Sequence, residues 1–512
     1  MRSRALFIGF GISLLVSAGV YGQTLGAVLT GSQEVPPCAT PGFGNATVTF
    51  DSTRQNINVT VTVSNLGSPI TAAHIHNAST GGNVVLGFTP TASFNNGTLT
   101  GTFPITSDLA TQILQNPGIF YVNVHTNQCP GGAIRGFLAL ATGGPIMYAA
   151  ELRGANETPP NSSTAFGSSL VTFDSVNNTL AFEVNSSGIA SPSASHIHRG
   201  AAATPGPVII NFATSAAGFQ GGRVTGSGAI SALQSSSFLP SDLTALASAS
   251  TANGYYVNLH STAFPAGEIR GQLVPAQEVD IPVAGHVTNG IGQTFISDVR
   301  VFNPSFTTPT TALVEFFPAG TTANTNASAS MAVNLPARGT AVLNDVAGSS
   351  GLNVTGLGAI RISSVANIVA TSHIFVNTPN GSFGQFVPGF SRANALRRGA
   401  MPQVSNTSVA TGFRANVGFF NPNQASVTVR VEARDAGGNV VGSNVISLAA
   451  LSAQLNAIGT YFPGVDVSNA TNLTLSFDAS APIFVFTSEV DNTSGDQFFI
   501  GAQPDTGVAS SQ

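Results

Sequence analysis

From Ile57 to Val63 the chain reads Ile-Asn-Val-Thr-Val-Thr-Val, apolar and polar in strict alternation. That is the period of a half-buried β-strand. Farther on, Val427, Val429 and Val431 alternate with Thr428, Arg430 and Glu432, and Asp435-Ala436-Gly437-Gly438-Asn439 then supplies turn chemistry before a second apolar run, which predicts a hairpin. Similar short segments, bounded by Gly, Asn, Ser and Pro, fill most of the 512 residues. Helical periodicity is scarce. The best case is Ser107–Gln115, where Ser107 would cap one or two turns before Pro117 stops them, and Ser241 occupies the matching place in Pro-Ser-Asp-Leu-Thr-Ala-Leu. The expected fold class is all-β, with tandem antiparallel β-sandwich domains of immunoglobulin-like or superoxide-dismutase-like type.

The pattern is also duplicated. Leu-Thr-Gly-Ser-Gln-Glu-Val-Pro-Pro at 29–37 returns as Leu-Arg-Gly-Ala-Asn-Glu-Thr-Pro-Pro at 152–160, and Val-Thr-Phe-Asp-Ser occurs at 48–52 and at 171–175. Ala-His-Ile-His at 73–76 matches Ser-His-Ile-His at 195–198. Tyr-Val-Asn-Val-His at 121–125 matches Tyr-Val-Asn-Leu-His at 256–260, and each is followed ten residues later by an arginine, Arg135 or Arg270. A weaker echo links Val-Arg-Val-Phe-Asn-Pro-Ser at 299–305 to Val-Gly-Phe-Phe-Asn-Pro-Asn at 417–423. These repeats divide the chain into modules at 24–142 and 146–275 and two further β-sandwich units at 281–390 and 400–503. Residues 391–408, Ser-Arg-Ala-Asn-Ala-Leu-Arg-Arg and onward, read as the most loop-like linker, with Arg397 and Arg398 in a solvated turn.

Composition narrows the chemistry. All 17 basic residues are arginine, so a P-loop lysine, a Schiff base and a lysine general base are excluded. Arg2 and Arg4 precede an apolar run from Ala5 to Val20, which predicts a secretory signal at 1–22 rather than a spanning helix. Its removal would take the formal charge from −5 to −7. Such a chain repels phosphate backbones, so nucleic acid is not an expected partner. No later apolar run is long enough to cross a bilayer as a helix, and a secreted location, extracellular or periplasmic, is expected. Cys38 and Cys129 fit export as a disulfide: both fall in the first module, and the alignment sets Asn161 and Phe264 in their places in the second.

The ordered blocks, L-x-G-x-x-E-x-P-P, H-I-H, Y-V-N-x-H and G-x-I-R-G, resemble the CHRD family, the repeated domain first described in chordin. The resemblance spans 24–142 and 146–275. It implies an extracellular β-rich module, known both from an animal binder of secreted growth factors and from exported bacterial proteins of unassigned function, with no established reaction.

Candidate chemistry follows from strand geometry. Residues two apart share a face, so His74 and His76, and in the second copy His196 and His198, project together. If His125 and His260 lie on neighbouring strands, each module gathers three imidazoles, a donor set suited to zinc or copper. A structural polar cluster is the alternative. Arg135 and Arg270 either attract an anion or pair with the recurring Glu34 and Glu157. No H-E-x-x-H or G-x-S-x-G motif occurs, Glu268 stands where the first copy has Ala133, and His286 and His373 are isolated. The reading is a non-enzymatic binding or scaffolding protein with an unidentified extracellular protein or surface component as partner. A copper/zinc oxidoreductase of superoxide-dismutase type and a structural envelope or matrix component are the alternatives.

Overall fold

The computed structural model describes residues 24–505, apart from 52–53, 79–81, 90–92, 116–118, 141–144, 176–177, 248–253, 291 and 380. The expected export signal lies outside the described residues. In the first module, strands β1 (Thr24–Thr30), β2 (Phe43–Phe50), β3 (Asn56–Ser64), β4 (Ile70–Asn77), β5 (Asn83–Gly87), β6 (Thr98–Pro104), β7 (Phe120–Thr126), β8 (Ile134–Phe137) and β9 (Ala139–Leu140) form one sheet. Its order is β5-β4-β7-β8-β1-β2-β3-β6, with β9 also on β1. Ile57, Val59 and Val61 of β3 are buried, as the alternation requires, and they meet Ile75, Val122, Val124 and Ile134 in a single core. The sheet therefore folds over on itself, so that its two halves are the layers of a sandwich. Helix α1 (Ser107–Gln115) adds Ala110 and Ile113 to that core. Its first turn is capped by Thr106, whose Oγ1 accepts the Leu109 amide, one residue before the Ser107 that the sequence suggests.

The second module repeats this order with β10 (Ile146–Arg153), β11 (Phe166–Asp174), β12 (Thr179–Ser187), β13 (Pro192–Arg199), β14 (Val208–Ala213), β15 (Arg223–Ala229), β16 (Tyr255–Ser261), β17 (Ile269–Gln272) and β18 (Val274–Pro275), arranged β14-β13-β16-β17-β10-β11-β12-β15 with β18 on β10. Here Ser241 lies inside the helix Pro240–Leu246 rather than capping it. The first turn is tied instead by the buried Asp242 carboxylate, which accepts the Leu239 amide and the Tyr255 hydroxyl.

Each C-terminal unit is two sheets joined by one bent strand. Gln277–Thr288 does this in the third unit, and the 23-residue Asn469–Asp491 in the fourth. The expected hairpin is present, Val427–Arg434 pairing with Val440–Leu448. The expected linker is not a loop. Leu396–Thr407 is a 12-residue strand on Asn469–Asp491, with Met401 and Val404 buried in the core. Three register shifts and a positive φ of 71° at Gln403 break its alternation, so a real strand loses its period-two signature. Arg397 and Arg398 accordingly sit on that strand: Arg397 donates to the Ser480 carbonyl, and Arg398 lies 3.7 Å from the Asp478 carboxylate.

The units also share interfaces. Phe317 and Ala359 of the third unit pack with Phe420, Leu451 and Phe484 of the fourth. Arg223 of the second module pairs with Glu183 at 2.6 Å and reaches the Ala327 carbonyl of the third unit, while Thr311 donates to the Gly167 carbonyl. Among the described residues, no helix is long and apolar enough to cross a membrane.

Candidate metal centre

Strand β4 lies beside β7, and the register sets His74 opposite Asn123, His76 opposite Tyr121 and Ala72 opposite His125. All five polar or aromatic side chains thus leave one face of the sheet, while Ile75, Val122 and Val124 enter the core from the other. One nitrogen from each of His74, His76 and His125 lies within 4.8 Å of the other two. Strands β13 and β16 bring His196, His198 and His260 together within the same limit, His196 Nδ1 standing 3.3 Å from His260 Nε2. A tetrahedral ion with ligands at about 2.0–2.1 Å would hold its nitrogens about 3.3–3.4 Å apart. Both triads need at most a small inward movement to meet that spacing.

The tautomers follow from the hydrogen bonds. A carbonyl only accepts, so His76 Nδ1, 2.7 Å from the Gly82 carbonyl, and His125 Nδ1, 3.0 Å from the Pro130 carbonyl, both carry the proton. The lone pairs therefore sit on Nε2. His198 and His260 repeat the arrangement against the Gly206 and Pro265 carbonyls, at 2.9 and 3.0 Å. His74 Nδ1, His76 Nε2 and His125 Nε2 are all buried with no hydrogen-bond partner among the described residues. Burial, reinforced by the neighbouring imidazoles, lowers His74 and His196 to about 4 and also lowers His76 and His198, so these rings are neutral near pH 7. In each triad two lone pairs are thus fixed on Nε2, while the third ring, His74 or His196, has no carbonyl partner among the described residues and His196 Nδ1 donates to His260 Nε2; neutral imidazole is the form a metal requires.

A layer of aromatic and charged residues supports each triad. Tyr121 stacks on His76 at 4.9 Å and carries the Arg135 guanidinium on its other side at 4.7 Å. Tyr256 stacks on His198 at 4.8 Å with Arg270 at 3.7 Å. The two arginines meet different partners in the two modules. Arg135 Nε donates to the Gln33 carbonyl and stands 4.0 Å from Glu34, whereas Arg270 donates to Thr158, Gln272 and the carbonyls of Ala201 and Thr204 and influences Glu157 only at longer range. Burial raises Glu34 and Glu157 to about 7, against the opposing pull of these arginines.

Beside each carboxyl lies a residue that motif reading passed over. Gly132, at φ 140°, leaves room for Glu34: a Cβ there would fall 2.6 Å from its oxygens and 2.7 Å from Asn123. Gly267, at φ 135°, does the same for Glu157 and Asn258. Gly132→Ala is therefore expected to cost about 1–3 kcal/mol in chemical denaturation, because both the backbone angle and the space exclude a methyl. The signal that could have found Gly132 is its recurrence, as Gly267, at the same offset in the second copy.

The remaining candidates fall elsewhere. Cys38 and Cys129 are disulfide-bonded, their Cα atoms 6.3 Å apart. His286, isolated in sequence, has a partner in space, its Nδ1 lying 2.8 Å from Asp345 Oδ2. His373 stacks on Phe375.

The chain carries two tandem CHRD domains: the family model of the CHRD domain matches residues 25–138 and again 148–273. No curated protein matches the chain. Among solved structures, the crystal structure of Thermotoga maritima 1070 aligns with 22% of this chain and 99% of its own at 9% identity, with a TM-score of 0.19.

Proposed function

We propose that these two CHRD domains form an exported, non-catalytic binding protein that takes up one zinc or copper ion per domain on His74, His76 and His125 and on His196, His198 and His260. The observation that carries this reading is the convergence of three imidazole nitrogens in each domain, two of which have their lone pairs set on Nε2 by Nδ1–H bonds to backbone carbonyls. In the first domain His74 Nδ1, His76 Nε2 and His125 Nε2 are buried with no hydrogen-bond partner among the described residues, a cost in desolvation that a bound ion would offset. The ion would act as a fixed cationic centre with a further coordination position for water or a partner's side chain. Export is supported by the Arg-led apolar N-terminus and by the disulfide, which persists in oxidising compartments.

The test is metal analysis of protein purified without added metal or tag, followed by titration with zinc and copper. Up to two equivalents are expected. Binding should weaken as falling pH protonates the imidazoles, while His74 and His196, lowered to about 4 by burial, stay in the coordinating form down to that range. Failure to take up either metal would leave the structural polar cluster. Redox turnover by the copper-loaded protein would replace binding by an oxidoreductase reading.

A further inference from the structure

We infer that the opening segment of each CHRD domain is a clamp that positions the third histidine of the triad, and that only the first domain's clamp responds to reduction. Its consequence for affinity rests on the metal-binding reading above; its geometry does not.

The third ligand depends on a short turn. In the first domain, Thr126 N bonds to the Cys129 carbonyl, Cys129 N to Thr126 Oγ1 and Gly132 N to the Cys129 carbonyl, and this turn presents the Pro130 carbonyl that holds His125 Nδ1. In the second, Ser261 N, Phe264 N and Gly267 N make the same three bonds, and the Pro265 carbonyl holds His260 Nδ1. The opening segments also agree: Cys38 N bonds to the Gly31 carbonyl, and Asn161 N to the Gly154 carbonyl.

The domains differ in what joins turn to segment. In the first the tie is covalent, Cys38 to Cys129. In the second, Asn161 Nδ2 donates to the carbonyls of Gly267 at 3.1 Å and Glu268 at 3.0 Å, and Ser163 Oγ donates to Glu268 Oε1 at 2.7 Å. One linkage can be cut by a reductant and the other cannot. The shared purpose is legible from position: Asn161 stands where the first domain has Cys38, and both fasten the turn that orients the third imidazole.

A water-soluble phosphine opens the first clamp. The phosphine takes oxygen from water and becomes its oxide, while two electrons and two protons convert the disulfide into the Cys38 and Cys129 thiols. Reduction removes the Cys38 anchor from this turn, which keeps its own bonds and those of Asn127 N to the Pro69 carbonyl and Gln128 N to Ser68 Oγ; the Pro130 carbonyl is then freed to move from His125 Nδ1, and His125 is no longer held to a single tautomer. Loss of an orienting partner of a metal-ligating histidine weakens affinity by about 10–100-fold.

The experiment uses the full chain. Zinc titration of oxidised protein should give two tight equivalents, and phosphine treatment should weaken one of them by about 10–100-fold while sparing the other. Imidazole 15N spectra recorded without metal should show His125 losing its Nδ1–H signature on reduction while His260 keeps it. The double variant Cys38→Asn, Cys129→Phe, which installs the second domain's residues, should bind two equivalents with or without phosphine. Unchanged affinities together with an unmoved His125 spectrum would overturn the inference. If oxidised protein takes up no zinc, the metal reading fails, and the His125 spectrum still decides the clamp.

Discussion

Arg361→Leu is expected to destabilise the protein by about 3–5 kcal/mol, the loss that follows when one partner of a buried ionic group is removed. Arg361 is 1% exposed. Its Nε lies 3.4 Å from Glu278 Oε2 and 3.3 Å from Asp280 Oδ1, its Nη2 donates to the Pro422 carbonyl at 3.1 Å, and its guanidinium lies against the Phe317 ring. It thereby joins strands Gln277–Thr288 and Gly356–Ser364 of the third unit to the fourth unit. Without it, two buried carboxyl groups face each other with, among the described residues, the half-exposed Arg392, 3.6 Å from Glu278, left to offset them. Asp280, already raised by burial and by Glu278, and Glu315, raised to about 8 by burial, would be driven further toward the protonated form. Chemical denaturation at pH 7 measures the loss. A change below about 1 kcal/mol would show that the junction tolerates the unpaired acids, and this account of it would be wrong.

The second large effect is expected at the triads. His76→Ala combined with His198→Ala removes one ligand from each domain, and both metal equivalents should be lost. Removing an orienting partner already costs about 10–100-fold in affinity, so removing the ligand itself should cost at least about 100-fold per site. The fold should tolerate the change better than the site does. Each imidazole gives up its stacking on Tyr121 or Tyr256, worth about 1 kcal/mol, while the core on the opposite face of the sheet is untouched. Calorimetric titration beside a thermal melt separates the two quantities. Retained metal would displace His76 and His198 from the ligand set, and a collapsed melting temperature with no metal in the parent protein would make the cluster architectural.

How far the chain could be read without its fold depended on the range of the interactions. Ile57–Val63 and Val427–Glu432 declared their strands because alternation is a local consequence of one buried face. Leu396–Thr407 did not, because its bulges insert residues into the ladder and scramble the period. Cap positions slipped for a similar reason. Thr106 and Asp242 rather than Ser107 and Ser241 tie the helix starts, a choice made by where the preceding strand or loop delivers the chain.

For the site, the sequence by itself singled out the candidate members of each cluster. Two copies hold His-x-His, a later His and an Arg at fixed offsets, and strand periodicity puts alternate residues on one face. It also pointed to the pairing of Cys38 with Cys129, since the second copy lacks both, and the structure shows that bond. Only the tertiary structure decided that β4 lies beside β7 and β13 beside β16, which is what brings the third histidine to the first two. It alone decided that carbonyls of Gly82, Pro130, Gly206 and Pro265 fix the tautomers, that Arg135 meets Glu34 while Arg270 turns to other acceptors, and that Asn161 does by hydrogen bonds what Cys38 does covalently. The physical reason is one of distance along the chain: a face is set by neighbours two residues away, whereas a ligand's orientation is set by groups that meet only when separated strands and loops have packed.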